Sequence, residues 1–192
     1  MAAYIAGNGV SRRPICLMKV KRKGKLYGCN SIYTQVIPDV LVATDDGPAE
    51  EIQNSGYSLG HEFYTRKPFS NKGARKLKLP YANWSSGPNA VQLAIDHGHN
   101  ELYLFGFDFG SVTTCFNNMY AGMKHYKKYD DPPTYGGNWA QQLETIIRMN
   151  RKVQFNIVIG DATVKDYIEC LIRYENVKIM CVDEFLIHIN NV

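Results

Sequence analysis

One stretch limits the possible folds more than any other. Glu101 to Phe107, read Glu-Leu-Tyr-Leu-Phe-Gly-Phe, is almost continuously apolar. A strand with apolar side chains on both faces must be covered on both faces, as in the middle of a parallel sheet. Ala2 to Ala6, Lys25 to Cys29, Val40 to Thr44, His61 to Thr65, Val153 to Ile159 and Val177 to Val182 read as further strands. Ser86 to His97 reads as a helix with Ala90, Val91, Ala94 and Ile95 on one face and Gly98 as its C-terminal cap. A second helix follows Asn138 as cap, through Trp139, Leu143, Ile146, Ile147 and Met149. A third spans Val164 to Tyr174, with Tyr167, Ile168, Leu171 and Ile172 inward. Pro48 suits a first helical position, with Ala49, Glu50, Glu51 and Ile52 behind it.

Strands alternating with helices predict an α/β protein: a single Rossmann-like domain over residues 1–192, with a mostly parallel sheet and right-handed crossovers. Lys67 to Tyr81 reads as a loop or small insertion. The stretch from 110 to 137 is polar, rich in aromatics and long for a connection, and reads as a lid-like loop insertion.

Composition narrows the class. An apolar fraction of 45% with 21% charged residues suits a globular core that needs no staples. Much of the +4 net charge lies in the run Lys19 to Lys25, either a solvated face or a guide for an anionic ligand. No basic stripe interleaves with regularly spaced aromatics, which argues against nucleic acid. The five cysteines are scattered and include no C-x-x-C pair, so a zinc site is not expected and a reducing cytoplasm is. Cys170 and Cys181 sit in apolar contexts and read as small core residues. There is no charged leader before a long apolar run and no run long enough to span a bilayer, so no membrane partner is expected. A homo-oligomer remains open.

In open parallel sheets, ligands bind beyond the carboxyl ends of the strands. Gly7-Asn8-Gly9-Val10-Ser11 follows the first strand. Its glycines suit a tight turn, or a close backbone approach that leaves amides free for phosphate. Arg12 and Arg13 beside it favour an anion. The loop is neither G-x-G-x-x-G nor a P-loop. Asn30 ends the second strand and suits a turn, a ribose hydroxyl or a base edge. Asp45 and Asp46 read as helix caps, or as a ribose contact or catalytic carboxylate. Ser85-Ser86-Gly87 opens a helix and suits either an N-cap or a phosphate at the positive helix end. Asp108 ends the central strand, placed either to take a proton or to tie down loop amides. His125 lies among Tyr120, Tyr126, Tyr129 and Tyr135 in the long loop and is the best-placed histidine for acid–base work. His97 and His99 suit a helix-dipole contact, and His188 reads as structural. No D-x-D follows a strand, so no metal ligands are assigned and no cofactor is expected.

Three segments together resemble one family: Ala6 to Ser11, Gly28 to Tyr33, and Ser85-Ser86-Gly87 leading through Gly98 into Glu101 to Phe109. Their order and spacing are similar to the bacterial sialyltransferases of glycosyltransferase family 42 and related bacterial and phage domains. The resemblance spans roughly residues 3 to 110, and its Ser-Ser-Gly helix running into Gly-Phe-Asp-Phe is the more specific part. It implies a single Rossmann-like domain with a lid that binds a cytidine-monophosphate sugar without a metal. It also implies that Asn8, Asn30, Ser86 and Gly87 line the nucleotide site. Lid tyrosines, here Tyr126 and Tyr135, would hold the phosphate. Where the family's general-base histidine is expected, this chain has Tyr135-Gly136-Gly137, which leaves His125 and Asp108 as the candidates.

Three functions follow from these readings. The first is a metal-independent, glycosyltransferase-like protein with a nucleotide or nucleotide sugar as partner. The second is a non-catalytic binder that sequesters a nucleotide, as a phage-encoded protein could. The third is an assembly protein that reuses the fold.

Overall fold

A computed structural model of the chain describes residues 2–78 and 83–191. The end of the Lys67–Tyr81 loop lies outside them. The elements in order are β1 (Ala2–Ala6), α1 (Leu17–Lys23), β2 (Lys25–Cys29), β3 (Val40–Ala43), α2 (Asp46–Asn54), α3 (Tyr57–Gly60), β4 (Phe63–Thr65), β5 (Arg75–Lys76), α4 (Ser86–Asp96), β6 (Glu101–Phe105), α5 (Gly137–Met149), β7 (Gln154–Ile159), α6 (Lys165–Leu171), β8 (Val177–Cys181) and α7 (Val182–Asn190).

The strands form one sheet in the order β5-β4-β3-β2-β1-β6-β7-β8. Every neighbouring pair is parallel. This is a single Rossmann-like α/β domain. Period-two alternation sorts its core into two layers. Along β1, Ala3 and Ile5 face α4, α5 and α6, while Tyr4 and Ala6 face α1, α2 and α7. The apolar run of β6 divides the same way, Leu102 and Leu104 against Tyr103 and Phe105. Burying each large apolar side chain contributes roughly 1.5–3 kcal/mol. No helix among the described residues is long and apolar enough to cross a membrane.

Several expectations need correction. β6 stops at Phe105 because Gly106 turns with φ +71°. The Lys67–Tyr81 stretch contains β5, which extends the sheet edge by pairing with Tyr64 and Thr65. α2 begins two residues before Pro48, and α5 begins at Gly137, so Asn138 lies inside its helix. Ile172 is exposed because α6 ends at Leu171. Cys170 and Cys181 are exposed, not core, and the buried thiol is that of Cys29. Cys181 instead caps α7, accepting the Glu184 amide while the Glu184 carboxylate accepts the Cys181 amide.

α7 (Val182–Asn190) is a helix that the sequence reading does not include. Its signal was present in Val182, Phe185, Leu186 and Ile189 at helical spacing behind an acidic first turn. His188 is structural, bonding the Tyr4 hydroxyl at 2.9 Å and stacking on Tyr103. His97 is likewise tied to hydroxyls, of Tyr27 at 2.8 Å and Tyr64 at 3.4 Å. It stands at the C-cap of α4, and burial, then Lys25, holds its pKa below the usual value. The basic run serves the surface. Lys19 donates to Asn190, Lys21 to the Ile37 carbonyl and Lys23 to the Asn191 carbonyl.

Candidate functional site

The sheet order reverses direction at β1, whose neighbours are β2 and β6. Loops leaving β1 and β6 diverge there and open a crevice. Two backbone bonds hold the loops together at their base: Gly7 N–H donates to Phe105 O at 2.8 Å, and Gly9 N–H to Gly106 O at 2.9 Å. Above them lies a cavity of about 340 Å³, within the usual size of a small-molecule site. Its walls come from the ends of β1, β2, β3 and β6, the start of α4, and the long loop.

Asp108 is the keystone of the floor. It is 4% exposed. Its Oδ2 accepts the Ser11 backbone N–H and the Asn117 amide, both at 3.0 Å, and its Oδ1 accepts the Thr163 hydroxyl at 3.2 Å. One carboxylate thus ties three segments that are remote in the chain. Asn117 also accepts the Val10 N–H at 2.9 Å. The amides of Gly7, Gly9, Val10 and Ser11 are therefore all engaged within the protein. The expectation that this loop presents free amides does not hold for these four, because β1 lies directly beside β6 and their loops bond each other.

Polar side chains converge on the cavity. Asn8 Nδ2 donates to Cys29 O at 3.1 Å, while its Oδ1 is buried and has no partner among the described residues. Asn30 holds the left-handed conformation at φ +51°, and its Oδ1 accepts the Ser86 hydroxyl at 3.1 Å. Ser86 Oγ in turn accepts the Thr44 amide at 3.0 Å. Ser85 occupies the N-cap of α4 without a side-chain cap bond. Pro88 has no amide and the Asn89 N–H bonds Ser85 O at 3.1 Å, so the Ser86 and Gly87 amides, with the positive dipole end, are what this helix start offers the cavity. Asp45 occupies the N-cap of α2, also without a side-chain cap bond, and lines the cavity as an exposed carboxylate. Phe107, Phe109 and Trp139 supply apolar wall. Burial holds the lining Cys29 thiol protonated, its pKa pushed up to about 12 against a smaller opposing pull from Arg12.

Of the residues singled out in the sequence, Gly7, Asn8, Gly9, Asn30, Ser85, Ser86, Gly87 and Asp108 meet on this cavity. Ser11 faces a neighbouring hollow beside Gly160 and Cys181. Arg12 is 2% exposed and lies under the loop, off the cavity surface. Its guanidinium donates to Tyr120 Oη at 2.9 Å and to Gln35 Oε1 at 3.2 Å, with no carboxylate partner among the described residues. His125 faces α2, where its Nε2 is 2.8 Å from Glu51 Oε2, in a third hollow. Tyr126 is turned inward, and its hydroxyl accepts the Ser31 amide at 3.3 Å. Tyr129 and Tyr135 point to solvent at 67% and 68% exposure. The long loop reaches the cavity through Asn117, Asn118 and Thr134 instead. No pattern in the sequence marked those three, since isolated Asn and Thr in a polar loop look alike wherever they point.

No protein-family model and no curated protein matches the sequence. Among solved structures, the chain is similar to a point mutant of the alpha-2,3/8-sialyltransferase CstII, with 15% identity and a TM-score of 0.53 over 87% of this chain and 85% of that one. It is similar also to the sialyltransferase CST-II in complex with a trisaccharide acceptor and CMP, with 14% identity and a TM-score of 0.52 over 87% and 84%. The fold is accordingly a sialyltransferase-like Rossmann fold.

Proposed function

We propose that this cavity binds a nucleotide or nucleotide sugar, and that the protein is glycosyltransferase-like and works without a metal. One observation carries the reading: four strand ends and the uncapped start of α4 converge on a single cavity at the point where the sheet order reverses. In this reading the phosphate meets the α4 amides, and the buried Arg12 charge adds a favourable potential from below. Asn30 and Asn8, which line the cavity, take the ribose or base. Phe107 and Trp139 cover apolar faces. The likeness to a fold seen with CMP bound supports the same assignment. Asp45 enters the cavity while Asp46 pairs with Lys67 at 2.8 Å, so the two do not act as one metal clamp.

A second reading, a binder without turnover, is favoured by two features. The lining contains no histidine among the described residues, and both Asp108 oxygens already accept hydrogen bonds.

Calorimetry with nucleoside mono- and diphosphates, with and without chelator, tests binding. Micromolar affinity that chelator leaves intact is expected, and no affinity for any nucleotide refutes the proposal. Hydrolysis of a panel of nucleotide sugars by wild type then separates transferase from binder: turnover of at least one donor is expected of a transferase, and none of a binder. Because His125 faces α2 in a separate hollow, His125→Ala is expected to leave any turnover intact.

A further inference from the structure

We infer that the group carried by the nucleotide in this cavity is uncharged or cationic: a neutral or amino sugar rather than a carboxylated one. The inference rests on the nucleotide reading above. Its basis is the charge of the lining, which among the described residues includes no lysine, arginine or histidine and two carboxylates, Asp45 and Asp108.

The two acids differ in availability. Asp108 is buried under three donors. Asp45 is exposed, and its carboxylate has no hydrogen-bond partner among the described residues, although it stands at a helix N-cap where a capping bond would be ordinary. Cations on the flanking elements are held elsewhere. Arg66 donates to the Asn83 and Trp84 carbonyls, Lys67 pairs with Asp46, and Lys124 pairs with Glu51 at 3.1 Å. Arg12 is sealed beneath the loop by Tyr120 and Gln35.

The electropositive sources are thus few: the start of α4 and the Arg12 charge below. They suit one phosphate. A second anion on the same ligand would find only neutral amides, hydroxyls and the Asp45 carboxylate. An ionised carboxylate accepts hydrogen bonds and donates none, so it favours sugar hydroxyls or an ammonium and repels another carboxylate.

The experiment is calorimetry on the full chain with matched ligands. In the uridine series these are UDP, UDP-N-acetylglucosamine and UDP-glucuronic acid. In the cytidine series they are CMP and CMP-sialic acid. The neutral sugar nucleotide is expected to bind at least as tightly as its bare nucleotide. The carboxylated one is expected to bind about tenfold more weakly or worse. Asp45→Asn should narrow that gap, and Asp45→Ser, which retains a capping side chain, should narrow it too if the first variant folds poorly. Equal or tighter binding of a carboxylated ligand overturns the inference and leaves the nucleotide reading standing, as does a gap that both variants preserve. Failure of every nucleotide to bind overturns both.

Discussion

Gly9 lies against Asp108 so closely that a Cβ on it would fall 2.5 Å from the carboxyl carbon and 2.8 Å from the Gly106 carbonyl oxygen. The requirement for glycine therefore comes from the protein itself. Gly9→Ala should push the β1 loop off the Asp108 carboxylate and destabilise the fold by about 1–3 kcal/mol. Thermal unfolding of the purified variant checks this, and a midpoint equal to that of wild type defeats it.

Asp108 should separate by substitution type. Asp108→Ala strands the Ser11 amide and the Thr163 hydroxyl and leaves the Asn117 amide only its bond to the Ala162 carbonyl. Each buried unpaired donor costs about 1–3 kcal/mol, so a loss of about 2 kcal/mol or more is expected. Asp108→Asn can keep its oxygen toward Ser11 and Asn117 and donate to the Thr163 hydroxyl, which is able to accept. Its loss should stay below about 1.5 kcal/mol. Urea unfolding of the two variants side by side decides. Equal losses would show that Asp108 is not the tie described here.

Arg12 should separate stability from affinity. Without it, the Tyr120 hydroxyl can still donate to Gln35 Oε1, 3.2 Å away, so no partner is stranded. Arg12→Met should cost less than about 2 kcal/mol in stability, because a buried charge without a carboxylate is replaced by an apolar chain. Nucleotide affinity should fall nonetheless, since the positive potential beneath the loop is gone. Unchanged affinity in a folded variant would rule out the electrostatic role.

Stability should fall in mild acid through two histidines. The pKa of His97 is lowered by burial and then by Lys25, and that of His188 by burial and then by Lys23. Both folded values lie below the unfolded value of about 6.5. The unfolded chain therefore binds more protons in acid. This contribution is fully present above about pH 6.5 and is lost as the pH falls through the folded values. Denaturant unfolding at pH 7.5 and 5.5 should show the loss in wild type and a smaller one in His97→Gln/His188→Gln. An identical drop in both would assign the effect to other groups, such as Glu144, whose pKa is held down by Tyr174 and Arg173.

Two kinds of information made this protein. The strands and most helices were legible in the sequence because burial repeats with local backbone geometry. Ala3 and Ile5 against Tyr4 and Ala6, or Ala90, Val91 and Ala94 along α4, carry their own period. The positions of Asn8, Asn30 and Asp108 after strands, and of Ser86 at the start of α4, were legible for the same reason. Their partners were not. Asp108 meets Ser11 across 97 residues only because β1 lies beside β6 in the sheet, and that adjacency seals the loop amides. Arg12 and Arg13 look alike in sequence, yet one is sealed beneath Tyr120 while the other is exposed. His125 and the loop tyrosines have no period to betray their direction, so packing against α2 and Gln35 decided it. Cys181 looked like core because its neighbours are apolar, but edge strand β8 leads it out to cap α7. Periodic burial is a local property of the chain, whereas hydrogen-bond partnership and charge environment depend on which distant segments the fold brings together.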